Sequence, residues 1–193
     1  MAFDLDRRPI MVAVAGSNGA GKSTFYNSQL RASGLLLVNA DLIARGLGMD
    51  AYAAARVAES VRNELIRQRE SFAFETVFSD PVGDKLQFLR NAAAEGYQVV
   101  LCFIGIKGPE VSTERVAMRV SQGGHDVPGG KLYARYPRTL ANLQAGLYEL
   151  PHVRIYDNDD LSHPFRLVAV YESGRRTEVH PPLPSWLRPL LPR

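Results

Sequence analysis

The sequence predicts an α/β protein in which a central, mostly parallel sheet is covered by helices on both faces. Two observations lead there. Short runs rich in Val, Ile, Leu and Phe alternate with longer stretches of helical periodicity, which is the pattern of βα units. Several of those runs are apolar throughout rather than alternating, as expected of strands buried on both faces. No internal repeat and no linker divides the chain, so residues 1–193 are read as one domain.

The first strand is IMVAV (10–14), and it leads straight into GSNGAGKS (16–23), a full match to G-x-x-x-x-G-K-[ST]. Glycines let such a loop curl until successive N–H groups point at one spot, and the helix that follows adds its positive end. Gly16, Ser17, Asn18, Gly19, Ala20 and Gly21 would form the cradle for a nucleoside triphosphate, with Thr24 in the helical stretch STFYNSQLR (23–31). Lys22 would reach the β- and γ-phosphates, and the Ser23 hydroxyl would ligate Mg²⁺. ATP and Mg²⁺ are therefore the expected cofactors. The fold class narrows to a three-layer P-loop kinase-like arrangement.

The remaining elements follow in order. GLLLVNAD (34–41) is a second strand ending at Asn39 to Asp41, and 51–71 is a long helix with Ala54, Val57, Ala58, Val61 and Leu65 on one stripe. SFAFET (71–76) is a third strand ending in Glu75 and Thr76. DKLQFLRNAAAEG (84–96) is a helix stopped by Gly96. YQVVLCFIGI (97–106) is the most apolar run and the expected central strand. Pro109 opens the next helix, the loop GGHDVPGGK (123–131) follows, and the helix at 132–150 carries Pro137 near its beginning. HVRIYDN (152–158) is a further strand, and 165–179 reads as a hairpin turning at Ser173 and Gly174. The tail HPPLPSWLRPLLPR (180–193) is expected to lie over the core, anchored by Trp186. The alternative is an interaction tail of polyproline type.

A formal charge of +3, with the basic residues spread along the chain, gives no nucleic-acid arm. The single cysteine, Cys102, lies in an apolar run and reads as a reduced core residue. No stretch approaches a membrane span and MAFDLDRRPI lacks the core of a signal peptide. The expectation is a cytoplasmic protein with no membrane partner.

In an open parallel sheet, ligands sit at the carboxyl ends of the strands, which singles out Asp41, Glu75, Thr76, Asp157 and Asn158. Asp41 suits a catalytic base and a helix cap equally. Arg115 and Arg119 stand four residues apart before the Gly-rich loop, and Lys131, Arg135 and Arg138 follow it. Two helices joined by such a bend, carrying inward arginines, look like a lid at about residues 119–138 that would close over the moving phosphoryl group. His125 has no second histidine at ligand spacing, so it is a lid residue rather than a metal ligand. The apolar run at 97–106 ends without an acidic residue. Mg²⁺ would then rest on Ser23, phosphates and water, with Asp41 or Glu75 in support, which favours a small-molecule kinase over a motor or transporter ATPase.

GSNGAGKST, VNADLIA, FETVFS, RVAMRVSQGGHDVP, RYPRTLANL and YDN occur in an order that resembles the zeta toxin family of P-loop kinases, above all its compact single-domain bacterial branch. The resemblance runs from about residue 10 to 158. It implies transfer of the ATP γ-phosphate to a hydroxyl. In the best-known toxins of the family the acceptor is the amino-sugar hydroxyl of UDP-N-acetylglucosamine, and its phosphorylation blocks cell-wall synthesis. The resemblance places the catalytic base on Asp41, the phosphate-loop lysine on Lys22 and the metal-binding hydroxyl on Ser23. Substrate contacts fall on Glu75 and Thr76, with His125 in the lid, and the phosphate-neutralising arginines on Arg119 and on Arg135 or Arg138. An antitoxin protein is the implied partner. The lid differs from that of the larger toxins, which leaves the acceptor more open than the chemistry. Two other readings remain: a nucleoside or polynucleotide kinase using Tyr133, Arg135 and Tyr136 as a groove, and a nucleotide-dependent binding module of a toxin system.

Overall fold

The computed structural model describes residues 8–121 and 127–191. The strands are β1 (Ile10–Ala15), β2 (Leu36–Val38), β3 (Phe72–Thr76), β4 (Gln98–Gly105), β5 (His152–Asp157), β6 (Arg166–Glu172) and β7 (Arg175–Val179). All join one sheet in the order β2-β3-β1-β4-β5-β6-β7. The first five strands in that order are parallel, and the last two continue antiparallel. β1 is buried at every position, as its unbroken apolar sequence requires. β4 is the middle strand, as its composition predicts.

The helices are α1 (Lys22–Phe25), α2 (Ala40–Leu47), α3 (Ala51–Arg67), α4 (Asp84–Ala94), α5 (Pro109–Ser121) and α6 (Gly129–Glu149). α1 widens into a π-helical turn, Tyr26–Leu30, before a short 3-10 turn. Two apolar clusters lie on opposite faces of the sheet. One joins Met11, Phe74, Leu89, Phe103 and Leu143, and the other joins Val12, Val14, Phe25, Leu30 and Ile104. This is the three-layer arrangement the sequence predicts. Among the described residues, no helix is long and apolar enough to cross a membrane.

Three details differ from the sequence-based expectation or add to it. α6 begins at Gly129, so Pro137 lies well inside it rather than near its start. Pro137 has no N–H for the Tyr133 carbonyl. The helix nevertheless continues because Thr139, Leu143, Gly146 and Leu147 are buried beyond that point. On α3 the fully buried row is Ala54, Ala58 and Arg62, with Val61 and Leu65 flanking it. The Arg62 guanidinium sits 5.2 Å from the Phe74 ring centroid and 5.6 Å from that of Phe88. Aromatic faces thus receive a cation that the sequence would assign to solvent.

The tail lies over the core. Trp186 is 6% exposed, its ring centroid is 6.0 Å from that of Phe103, and its indole N–H donates to Asp157 Oδ1 at 3.0 Å. Arg166 pairs with the other carboxylate oxygen of Asp157 at 3.1 Å, so that strand-end carboxylate is engaged structurally. Trp186 fits because β4 ends in Gly105, where any Cβ would collide with the indole. We expect Gly105→Ala to displace the tail and destabilise the fold by roughly 1–3 kcal/mol through overpacking. Trp186 is the only tryptophan, so a red-shifted emission together with a lowered Tm is the expected readout. Native emission in the variant would show that the tail does not rely on this contact.

Candidate active site

The phosphate loop joins β1 to α1, and its Gly16, Gly19 and Gly21 all take positive φ, which curls the backbone as the sequence predicts. Neighbouring elements hold it from outside. Ser112 Oγ on α5 donates to the Asn18 carbonyl at 2.6 Å. The Asn158 side-chain amide donates to the Ala20 carbonyl at 2.8 Å. Nothing in the sequence marks Ser112 for this role, since one serine in the first turn of a helix carries no signal of its own.

Lys22 turns its ammonium inward, where it donates to the carbonyls of Gly16 and Ser17 at 3.0 Å each. Burial pushes its pKa below the ordinary value. The carboxylates of Glu75 and Asp41 act against that shift, while Arg119 and Arg135 reinforce it. These five residues come from five different elements or their ends, and their charges meet at one ammonium. Arg135, half-buried on α6, is among the charges acting most on Lys22, whereas Arg138 is exposed three residues on.

Asp41 does not cap α2. Asn39 does: its Oδ1 accepts from the Asp41 and Leu42 N–H groups at 2.8 and 3.1 Å. Asp41 is left in the first turn, exposed, and no hydrogen bond among the described residues engages its carboxylate. The cap reading of Asp41 therefore belongs to its neighbour two positions earlier.

Glu75 ends β3, one place before Thr76, which pairs with Ala15 of β1. The Ser23 hydroxyl donates to Glu75 Oε2 at 3.0 Å. Glu75 Oε1 is buried without a hydrogen-bond partner. The acidic residue sought at the end of β4 thus stands on β1's other neighbour. A hydroxyl beside a half-satisfied carboxylate is a donor set that fits Mg²⁺, which takes one or two protein oxygens and keeps waters and phosphates for the rest. Among the described residues no group of three His, Cys, Asp or Glu forms a protein-only metal site.

Thr76 Oγ1 accepts the Phe78 N–H at 3.0 Å, leaving its own proton free to donate. The loop beyond is tied to α6. Thr139 Oγ1 donates to the Val77 carbonyl, and the Asn142 amide donates to those of Phe78 and Asp80, each at 3.0 Å. Phe78 is held at φ 60, buried, a conformation that needs such anchoring. His125 lies outside the described residues, as does the centre of the expected lid.

Beside the loop lies a cavity of about 360 Å³ whose lining includes Gly19, Gly21, Thr24, Arg115, Asn158 and Phe165. Arg115 is not a mobile lid residue. Its guanidinium donates to the carbonyls of Asn158 and Asp159 at 2.8 and 3.0 Å. Tyr136 likewise does not line an open groove with Tyr133, because its hydroxyl donates to the Ile106 carbonyl at 2.7 Å and its ring packs on the core.

A mostly parallel sheet with a phosphate loop after β1, and the acidic end of the neighbouring β3 bonded to that loop through Ser23, defines a P-loop kinase fold. The sequence model of the zeta toxin family matches residues 51–166, more than half of the chain. The protein belongs to the zeta toxin family. An uncharacterized protein of Haemophilus influenzae is 29% identical over 126 residues, covering 63% of this chain and 88% of its own. Among solved structures, the AvrRxo1-ORF1:-ORF2 complex with ATP superimposes with a TM-score of 0.69 at 16% identity, covering 88% of this chain and 60% of that one. A structure from the PezAT chromosomal toxin–antitoxin system of Streptococcus pneumoniae gives 0.58 at 16% identity, over 78% of this chain and 69% of that one. These likenesses are of fold. The chain spans about 60% of the AvrRxo1 chain it matches.

The buried Lys22 charge has a consequence for stability. With its folded-state pKa lowered, the unfolded chain binds more protons in the window below the ordinary value of 10.5, so stability rises with pH through that window. Lys22→Met is expected to match or exceed the native Tm near neutrality, and to lose ATP affinity by roughly 100-fold or more. Denaturant titrations across pH should show the native chain gaining stability relative to Lys22→Met toward pH 10.5. A variant that binds ATP as the native chain does would contradict the assignment of Lys22.

Proposed function

We propose that the protein is an ATP-dependent kinase that transfers the γ-phosphate to a hydroxyl of a small molecule, with a UDP-amino sugar such as UDP-N-acetylglucosamine as acceptor. The observation that carries this reading is the geometry around the loop: Lys22 sits on the Gly16 and Ser17 carbonyls, Ser23 on Glu75, and the Asp41 carboxylate is left out of the α2 cap, with Asp41, Arg119 and Arg135 acting on the lysine's charge. A phosphate loop alone serves a binding switch as well as a transferase. A free carboxylate and two arginines around its lysine are what transfer to a hydroxyl needs.

In the proposed step the acceptor hydroxyl oxygen bonds to the γ-phosphorus as the bond to the β–γ bridging oxygen breaks. ADP leaves with that oxygen, and the hydroxyl proton passes to Asp41. Its exposed carboxylate, free of capping, is suited to orient and accept that proton. Lys22, Arg119 and Arg135 stabilise the charge spread over the transferring group. Ser23 and Glu75 would hold Mg²⁺, which when bound neutralises charge on the β- and γ-oxygens. Glu75 would then serve the nucleotide as much as the acceptor, and the Thr76 hydroxyl would donate to the acceptor. The cavity beside Thr24 and Arg115 would take the nucleobase. Arg138 would act from the rim of the lid.

Family membership supports the sugar-nucleotide acceptor and a restraining antitoxin partner. The polynucleotide reading has less support, since Tyr136 is engaged in the core and leaves Tyr133 as the exposed ring. Burial of Trp186 likewise weakens the reading as a binding module with a free tail.

The test is ³¹P NMR of ATP mixed with UDP-N-acetylglucosamine, free sugars, nucleosides and a short oligonucleotide. The sugar nucleotide is expected to gain a phosphate. Asp41→Asn should lower kcat by about 10²- to 10⁴-fold with ATP affinity unchanged. Transfer to another acceptor in the panel would replace the substrate and keep the chemistry. Native rates in Asp41→Asn would remove Asp41 as the base.

A further inference from the structure

We infer that Asn158 is a positioning residue that sets the register between the phosphate loop and the nucleobase cavity, so that a base and its triphosphate are read as one rigid unit. The inference rests on the proposed nucleotide reading and deepens it. Asn158 is 3% exposed and joins four parts of the site. Its backbone N–H donates to the Gly105 carbonyl at 2.9 Å, which fixes it to the end of β4. Its side-chain amide donates to the Ala20 carbonyl at 2.8 Å, within the phosphate loop. Its Oδ1 accepts the Phe165 N–H at 3.3 Å, and its carbonyl accepts from Arg115 at 2.8 Å.

Phe165 and Arg115 are both walls of the cavity, so a single side chain and its carbonyl tie both walls to the loop that would cradle the phosphates. The approach is close. A Cβ on Gly21 would lie 2.7 Å from the Asn158 amide nitrogen and 3.3 Å from the Phe165 ring. Only glycine at that place lets the 158–165 segment press against the loop. Phe165 is held at φ 56, a region that non-glycine residues seldom adopt, and the hydrogen bond from its N–H to Asn158 supports that conformation. Its ring packs edge-on against Phe25, centroids 5.3 Å apart, so the wall is rigid rather than a flap.

The ligand this geometry suits carries an aromatic base joined to a polyphosphate at a fixed spacing, a nucleoside triphosphate. A ligand with phosphates alone would use the loop and have no use for the register. That difference supplies the test. Binding of ATP and of inorganic tripolyphosphate is measured by calorimetry on the native chain, on Asn158→Ala, and on Asn158→Ser in case the alanine variant does not fold. Losing the amide leaves a buried carbonyl and a wall N–H unpaired, so ATP affinity should fall roughly tenfold or more. Tripolyphosphate affinity should change less than about twofold, collapsing the preference for ATP. If both ligands weaken by the same factor, Asn158 acts only on the stability of the loop and the inference is overturned. Unchanged ATP binding in the variants overturns it as well. A native chain that binds tripolyphosphate but has no preference for ATP removes the base cavity and the inference, leaving the phosphate loop intact. Absence of any binding to the native chain would instead remove the nucleotide reading itself.

Discussion

The buried ammonium of Lys22 is the constraint on which the ligand edge depends. It is held by two backbone carbonyls rather than by a directly bonded carboxylate, so the site carries a cation with capacity left for an anion. Burial opposes that charge, and Glu75 and Asp41 support it. The balance between those effects requires the ends of β1, β2 and β3 to lie side by side, which the strand order β2-β3-β1 provides. A different order would leave the lysine either unsupported or neutralised by direct pairing. Neither state would receive a polyphosphate well.

Around that cation the nucleotide edge is cross-braced. The phosphate loop, the Arg115 wall and the 158–165 segment are cross-tied by short hydrogen bonds, and the tail closes the β4 and β5 ends through Trp186. Arg119 at the end of α5 and Arg135 on α6 bring their charges to bear on the same cation. Pro137 falls between Arg135 and Thr139, so the helix has a weakened rung between the segment that carries the arginine and the half that is buried. Thr139 and Asn142 anchor that buried half to the loop after β3. The same helix thus holds the loop after β3 at one end and brings a cation to bear on Lys22 toward the other.

The phosphate side was legible in the sequence because phosphate chemistry demands particular residues at fixed spacing: glycines for the curl, then Lys22 and Ser23. The strand ends were legible for a similar reason, since apolar runs stop where the ligand edge begins. Glu75 was seen but its partner was not. β1 has two neighbours, and chain order does not say that the acidic end belongs to β3 and lies against Ser23. Asn39 and Asp41 both suit a cap, and only the direction of the Asn39 side chain separates them. Arg62 could not be foreseen, because its burial depends on Phe74 and Phe88 from two other elements. Ser112 and Phe165 acquire meaning only through long-range contacts.

The family match and the local geometry overlap at Glu75, Arg115, Arg135 and Asn158, and they part at the phosphate loop and Asp41. The match begins at residue 51, after the phosphate loop and Asp41, and spans β3, α5, α6 and Asn158. The phosphate loop works largely through backbone groups, so its neighbours are free to vary while its glycines and lysine are not. The acceptor side works through side chains on several helices, and its shape is therefore specific to a family. Under the proposed function the choice of acceptor rests on such walls, and Leu42, Tyr52, Met118 and Tyr133 are large side chains of α2, α3, α5 and α6 that stay exposed.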